Sequence, residues 1–306
     1  MDEASVMDEK SCTLFLKIAS MGNITAAARA LGYTQAGLSL VIKKMEEECG
    51  FRLLYREKSG VSLTRDAETL LPAMRDIVNA NERFTQLAAS VRGAAVGKVT
   101  IGSYSSTAYS WIPRIIREFK KKYPLIKFEV IEGGGLEIEE WIMNGTVDIG
   151  FLSAYKSQSF EAVKFLEDYI VAVLPPEHPL AEAAVFPLAA FGDFPFIASI
   201  FDYDRDAYSV AEVFRERFGD SPDMRLSSTD GYTIISMVEN GLGISVLPET
   251  FFIGHKAKTV QKMIDPPFKR TLIMGIRSKA ELSFAAAKFM EAALAAVKNS
   301  DETSAD

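Results

Sequence analysis

Cysteine is nearly missing from this chain of 306 residues: Cys12 and Cys49 are the only two. Neither has the spacing of a zinc site or a redox pair, so a disulfide framework is excluded and both read as reduced, partly buried thiols. Histidine is equally scarce. His178 and His255 stand apart from any cysteine, paired carboxylate or ligand spacing, which leaves no assembled nucleophile, general base or metal site. Catalytic residues, a metal and a cofactor are therefore not expected. Gly133-Gly134-Gly135 is not followed by Gly-Lys-Ser/Thr, so it is no phosphate loop. No apolar run reaches the length of a membrane span, and no membrane partner is expected. The opening MDEASVMDEK is acidic where a secretory signal would be basic and then apolar, which predicts a cytoplasmic location.

What is present describes a globular chain. Hydrophobic residues make up 48% and charged residues 25%, and the length invites two or three units, each burying its own core. The net charge of −7 argues against indiscriminate nucleic-acid binding by the whole surface but leaves room for a local basic patch. One exists between Arg29 and Arg65, where seven basic residues meet four acidic ones, a surplus of three. So mild a surplus would bind one DNA half-site weakly, and dimerisation would compensate.

The organising stretch is NITAAARALGYTQAGLSLVIKKME, residues 23–46. Thr25 can cap a short alanine-rich helix that Gly32 ends, and Thr34 can cap a second helix. In that second helix Leu38, Val41, Ile42 and Met45 form an apolar stripe, leaving Gln35, Ala36, Ser39, Lys43 and Lys44 toward solvent. Two short helices joined by a tight turn suit a recognition helix in a major groove: Gln can pair bidentately with adenine, while Ser and Lys reach phosphates. Shape alone fits a helical hairpin inside a larger core equally well. The residues after the second helix favour DNA. Phe51, Leu53, Leu54 and Tyr55 read as a strand, residues 56–60 as a charged turn and residues 61–63 as a return strand, together a wing. Residues 11–20, with Leu14, Phe15 and Ile18 at helical spacing, supply the first helix of a small core.

These residues resemble the LysR-type transcriptional regulators. The family's N-terminal pattern is met by Phe15, Ala27-Ala28, Leu31, Gln35, Ser39, Ile42, Glu46, Arg56 and Leu63-Thr64. The chain departs from it at Ala36-Gly37, at Tyr55 and at Asp66-Ala67-Glu68, and Gly37 should soften the start of the recognition helix. The DNA-contacting set expected is Thr25, Thr34, Gln35, Ala36, Ser39, Lys43, Arg56 and Thr64. Double-stranded operator DNA is the implied partner, bound as a dimer or dimer of dimers, and RNA polymerase is a further partner such a regulator implies.

After the wing, Thr64 can cap a long helix to about Arg92, with Asp66 and Glu68 near its positive end. Ala67, Leu70, Met74, Ile77, Asn81, Phe84, Ala88 and Val91 recur in steps of three and four, a coiled-coil seam for dimerisation. Asn81 is either a register-setting polar residue or the exposed edge of a single amphipathic helix. Pro72 removes one backbone donor and should kink this helix near its start. Residues 93–97, GAAVG, then break the pattern.

Beyond them come a strand at 98–102, a helix at 110–122, a strand at 127–131, a helix at 138–144 and a strand at 147–152, an α/β unit with a parallel sheet. A second unit starts at Tyr169. It opens with a buried strand and a turn in IVAVLPPEHPLA; further strands are expected at 196–198, 224–226 and 241–248 and helices at 210–218 and 231–239, before, beyond Pro266-Pro267, a strand at 270–276 and a helix at 280–298. Pro113, Tyr123-Pro124, Gly145 with Asp148, His178 to Ala181 and Pro248 match the family's effector domain. A lone His in such a Pro-rich turn is usually structural. The expected architecture is thus α+β and multidomain: a winged helix-turn-helix at 1–65, a linker helix at 66–92, and a two-lobed effector-binding domain at 93–306 resembling periplasmic solute-binding proteins. The resemblance implies that lobe I takes 98–164 and 268–300 and lobe II takes 165–267, with a hinge near Phe165 and Asp265.

In an open α/β sheet a ligand sits beyond the carboxyl ends of the strands, where helix N-termini suit an anion. Ser103, Ser105, Ser106 and Thr107 lie there, either touching a ligand or capping a helix that starts near Tyr109. Ser199, Ile200, Phe201 and Thr229 face them from the second lobe. The family often has Thr at Gly135, so backbone N–H groups are expected to replace one side-chain contact. A polar or anionic small-molecule effector is expected there. The competing reading, a cytoplasmic small-molecule binding protein of solute-binding fold with no regulatory role, leaves the helix-turn-helix unexplained.

Overall fold

Asp8 accepts the Ser11 backbone N–H at 2.8 Å and so caps the first helix, α1 (Glu9–Met21). A computed structural model describes residues 7–57, 60–154, 158–199 and 226–303. The chain divides into two compact units, Met1–Ala94 with Asn144–Thr146, and Ala95–Met143 with Val147–Asp306.

In the first unit α2 (Ile24–Leu31) is capped by Asn23, whose side chain accepts the Ala26 N–H at 2.9 Å, and not by Thr25, which lies inside the helix. Both residues can cap; Ile24 decides between them, because it is buried in the core and so belongs to the first helical turn. Thr34 does cap α3 (Gln35–Cys49), accepting from the Gly37 N–H at 3.1 Å. The wing is β1 (Leu54–Glu57) paired antiparallel with β2 (Gly60–Leu63); Lys58 and Ser59 of its turn lie outside the described residues. Its first strand starts later than Phe51 because the N–H groups of Leu53 and Leu54 are taken by the Glu46 carboxylate, at 2.8 and 3.2 Å. At Gly60, φ is +150° and an added Cβ would lie 2.3 Å from the Gly22 carbonyl oxygen. Only glycine lets the wing approach the end of α1, where the Val61 N–H donates to that same oxygen at 2.8 Å.

Helix α4 (Arg65–Val91) continues unbroken with Pro72 inside it. Its first half is not a seam. Ala67 and Met74 are buried with Cys12, Phe15, Ile18, Leu38, Ile42 and Met45 in one hydrophobic cluster, and Leu70, Leu71 and Val78 pack against it. Such side chains each gain roughly 1.5–3 kcal/mol on full burial, and the three short helices alone expose too narrow a face to close a core.

The second unit is built on one sheet, in the order β10 (Ser245–Pro248), β6 (Glu161–Leu174), β11 (Val260–Ile276), β5 (Ile149–Ser153), β3 (Gly97–Ser103) and β4 (Ile126–Glu132), with β7 (Phe186–Pro187) beside β11. Strand β3 runs parallel to β4 and β5, as the alternation of strands and helices requires. Between them lie α5 (Ser105–Ser110), α6 (Ile112–Lys122) and α7 (Gly135–Met143). Strands β8 (Ile197–Ser199) and β9 (Leu226–Ser228) pair parallel, and α8 (Gly231–Glu239) follows them. The helix expected at 210–218 and residues 224–225 lie outside the described residues. The last helix, α9 (Phe284–Thr303), starts later than Ala280, because Ser278 instead caps a 3-10 turn at Lys279–Glu281. It returns to the first strands, Phe289 sharing a cluster with Val99 and Phe119.

Strands β6 and β11 are far longer than the sequence suggested, and they serve two cores. Phe165 and Leu166 join the cluster of Val99, Ile101 and Phe151, whereas Val171 to Leu174 line the clusters of Phe186, Phe196, Ile234 and Phe251. The core changes between Leu166 and Val171, and Phe165 is packed in the first. On β11 the register slips between Met263 and Phe268, and Ile264 and Asp265 pair instead with β7. Prolines 266 and 267, lacking N–H donors, sit in that bulge.

Candidate nucleic-acid interface and small-molecule site

Helix α3 turns Leu38, Ile42 and Met45 into the core and leaves Thr34, Gln35 and Ala36 exposed and Ser39 half-buried. The Gln35 amide donates to the Ser39 hydroxyl at 3.1 Å, one turn away, which holds the amide along the helix face. Lys43 pairs with Glu47 at 3.3 Å on the surface, and Lys44 is exposed. Arg56 is exposed on β1, and Thr25 is exposed at the start of α2. Thr64 differs from this set. It is 5% exposed, its hydroxyl donates to the Arg52 carbonyl at 2.8 Å and accepts from the Ala67 N–H at 3.1 Å. Both its bonding directions are spent on starting α4, so it is a cap and cannot reach a phosphate.

The two thiols lie on this unit, Cys12 buried and Cys49 half-buried. Burial first, and neighbouring carboxylates second, push both above the usual thiol range, which disfavours the nucleophilic thiolate. Among the described residues no group of three or more His, Cys, Asp or Glu could hold a metal ion, and no helix is long and apolar enough to cross a membrane.

In the second unit the hydroxyls of Ser105, Ser106 and Thr107 sit inside α5, because the helix starts at Ser105 with no side-chain cap, and Ser103 ends β3 ahead of it. Ser103 is fully buried and donates to the Tyr104 carbonyl at 2.9 Å, so its hydroxyl is committed within the chain. Ser106 and Thr107 are buried; Ser105 is half-exposed. The Thr107 hydroxyl oxygen is buried without a hydrogen-bond partner, and so is that of Ser153 at the end of β5. Such orphaned groups are uncommon in a folded interior. Gly135 opens α7, Ser199 ends β8 half-buried, and Thr229 is exposed just ahead of α8. Ile200 and Phe201 lie outside the described residues.

Sequence reasoning missed two constellations around these hydroxyls. Asp168 on β6 is buried and accepts from Arg270 of β11 at 2.7 and 2.9 Å and from the Thr250 N–H and hydroxyl at 3.2 and 3.0 Å. The Arg270 guanidinium also lies over the Tyr104 ring, 5.6 Å from its centroid. The other is aromatic: Tyr109 of α5 lies 5.0 Å from Tyr232 of α8 and 5.9 Å from His255, joining the two cores. The Tyr232 hydroxyl is buried and unpartnered, and burial pushes it up from the ordinary tyrosine range. Opposite charges placed 102 residues apart leave no local sequence signal.

Comparison with known proteins agrees with both units. Residues 10–68 match the bacterial regulatory helix-turn-helix protein, lysR family, and residues 92–298 match the LysR substrate binding domain. The chain is 30% identical over 283 residues to the uncharacterized HTH-type transcriptional regulator YvbU of Bacillus subtilis, covering 92% of this chain and 95% of that one. A full-length OxyR variant from Pseudomonas aeruginosa is similar in fold, with a TM-score of 0.73 at 17% identity, covering 97% of this chain and 96% of the other. Full-length CbnR in complex with its target DNA gives a TM-score of 0.65 at 18% identity, covering 94% and 98%. With a winged unit built around α3, a second unit of two cores on shared strands, and family matches over both, this chain belongs to the LysR family of transcriptional regulators, with a helix-turn-helix DNA-binding domain and an effector-binding domain.

Proposed function

We propose that the chain reads an operator through α3, with Gln35 as its adenine reader and Arg56 of the wing as a phosphate contact. The observation that carries this is the Gln35–Ser39 hydrogen bond on a capped helix whose opposite face is buried: the amide is held outward before DNA arrives. The fold similarity to CbnR, which is seen with its target DNA, supports the same reading. Two copies are proposed to associate through the second half of α4, giving a dimer or a dimer of dimers, and 66–92 is proposed as the linker. The effector is proposed to be a polar or anionic small molecule held beyond the ends of β3 and β5, where the unpartnered Thr107 and Ser153 hydroxyls give donors that it can satisfy. Its binding changes DNA affinity only by its preference for one arrangement of the subunits.

Gln35→Ala is expected to lower discrimination between a selected operator and random DNA by about 1–3 kcal/mol per base pair read, while Arg56→Ala weakens both by a similar factor. Gel shifts on both duplexes separate the two outcomes. An unchanged specificity ratio for Gln35→Ala would remove α3 from the interface.

A further inference from the structure

One side chain of α3 is out of place for a helix that packs on one face only. Leu38, Val41, Ile42 and Met45 all join the core or pack against it, but Leu40 is 54% exposed and stands outside that cluster. Single exposed leucines are ordinary on protein surfaces. This one is set apart by where it stands. At 100° per residue it lies almost opposite Leu38 and Met45, on the outward row that also carries Ala36 one turn before it and Lys43 one turn after it. Ser39 lies about 100° round the helix from Leu40, with its partner Gln35 beyond it at about 140°, and Lys43 and Lys44 are exposed beside Leu40. The surroundings are thus a polar, partly basic helix face suited to a nucleic-acid groove, with one large apolar side chain at its middle.

A major groove offers few apolar partners, and the C5 methyl of thymine is the principal one. We propose that Leu40 is a specificity-determining residue that reads a thymine methyl group. The inference rests on α3 being the groove-reading helix, and it deepens that reading by naming a base. Gln35 favours adenine, and Leu40, five residues on, is displaced about 7.5 Å along the helix, or roughly two base-pair steps, and about 140° round it, so the two address different sides of the groove. The two side chains together select a short A·T-rich element, in which Gln35 supplies hydrogen bonds and Leu40 an apolar contact that excludes water from the methyl.

The test uses the full-length protein and a duplex enriched from a random library by that protein. Each thymine is replaced in turn by deoxyuridine, which deletes only the methyl group and keeps base pairing. At one or two positions the parent is expected to lose affinity by about fourfold, the effect of one buried methyl-sized group. Leu40→Ala is expected to bind the parent duplex correspondingly less well and to lose nothing further at those positions. Replacing a cytosine by 5-methylcytosine gives a control duplex in which a methyl group is added without thymine. Because Leu40 is exposed, the variant's thermal midpoint should match that of the parent. If Leu40→Ala keeps the parent's full uracil sensitivity at every thymine, or the parent shows none, the proposal is overturned. Gln35→Ala run on the same duplexes separates the two levels: a changed specificity ratio there, with no methyl effect at Leu40, sinks only the Leu40 assignment, whereas no change in either variant sinks the groove assignment of α3 itself.

Discussion

The apolar side chains along α4 meet opposite fates. Ala67 and Met74, in the first half, are 0% and 1% exposed, whereas Ile77 at the middle and Phe84, Leu87 and Val91 beyond it are 40%, 71%, 61% and 81% exposed, although Gln86 and Ala89 between them are buried. Periodicity alone cannot tell these apart, since a helix that packs on its own subunit and one that packs on a second copy need the same spacing. The difference comes from reach. The winged unit is short, and its helices cover only the first turns of α4, so of the stripe that the sequence marks from Ala67 onward the large apolar residues stay exposed from Ile77. A stripe this apolar and this exposed is a surface that association would cover.

That contrast predicts different consequences for the same chemical insult. Met74→Ala should cost the DNA-binding unit about 2–5 kcal/mol, as for other buried large-to-small changes, with a lowered thermal midpoint and no direct effect on subunit mass in the folded protein. Calorimetric melting of the full chain checks it; an unchanged midpoint would show that the first half of α4 is not core. Phe84→Asp should do the reverse, leaving the melting of isolated subunits alone while sedimentation at low micromolar concentration shifts toward the monomer, with a loss of DNA affinity. Parental mass in that variant would return the second half of α4 to solvent. The smallest effect is expected for Asn81→Val. Asn81 is exposed beside Phe84, and removing the one polar residue of the seam should tighten self-association modestly while allowing more than one assembled mass, as when a buried asparagine no longer fixes register. A single, weaker assembly would instead place Asn81 off the contact.

Much of the first unit was legible because its signals are local. Thr34, Gly32 and the stripe from Leu38 to Met45 each act within a few residues, and the helix boundaries follow from them. Where two neighbours could both cap, as Asn23 and Thr25 can, the choice depended on burying Ile24, a tertiary fact. Leu40 was passed over because the stripe that named its neighbours gave it no role. In the second unit the sequence marks the hydroxyls at 103–107 but not which way each one faces. Whether Ser103 faces a ligand or its own backbone depends on the sheet covering it, and spacing does not report that. Strands β6 and β11 were read short for a related reason. They lack clean alternation because each passes between two cores, and the prolines at 266 and 267 read as an end where the sheet makes a bulge.

Val171 pairs with Met263, and Ile170 with Phe268, so β6 and β11 are the arms of a single antiparallel hairpin whose connecting loop is everything from 175 to 259. The second core is therefore an insertion into a hairpin and not a neighbour joined end to end. Its two connections to the rest of the chain leave side by side, a ladder spacing of about 5 Å apart. An inserted body tied at adjacent points can tilt or twist about that pair of strands, but it cannot drift away. Asp168 of β6 holds Arg270 of β11 and Thr250 of the insertion, so one buried carboxylate ties the inserted core to both of the strands that carry it.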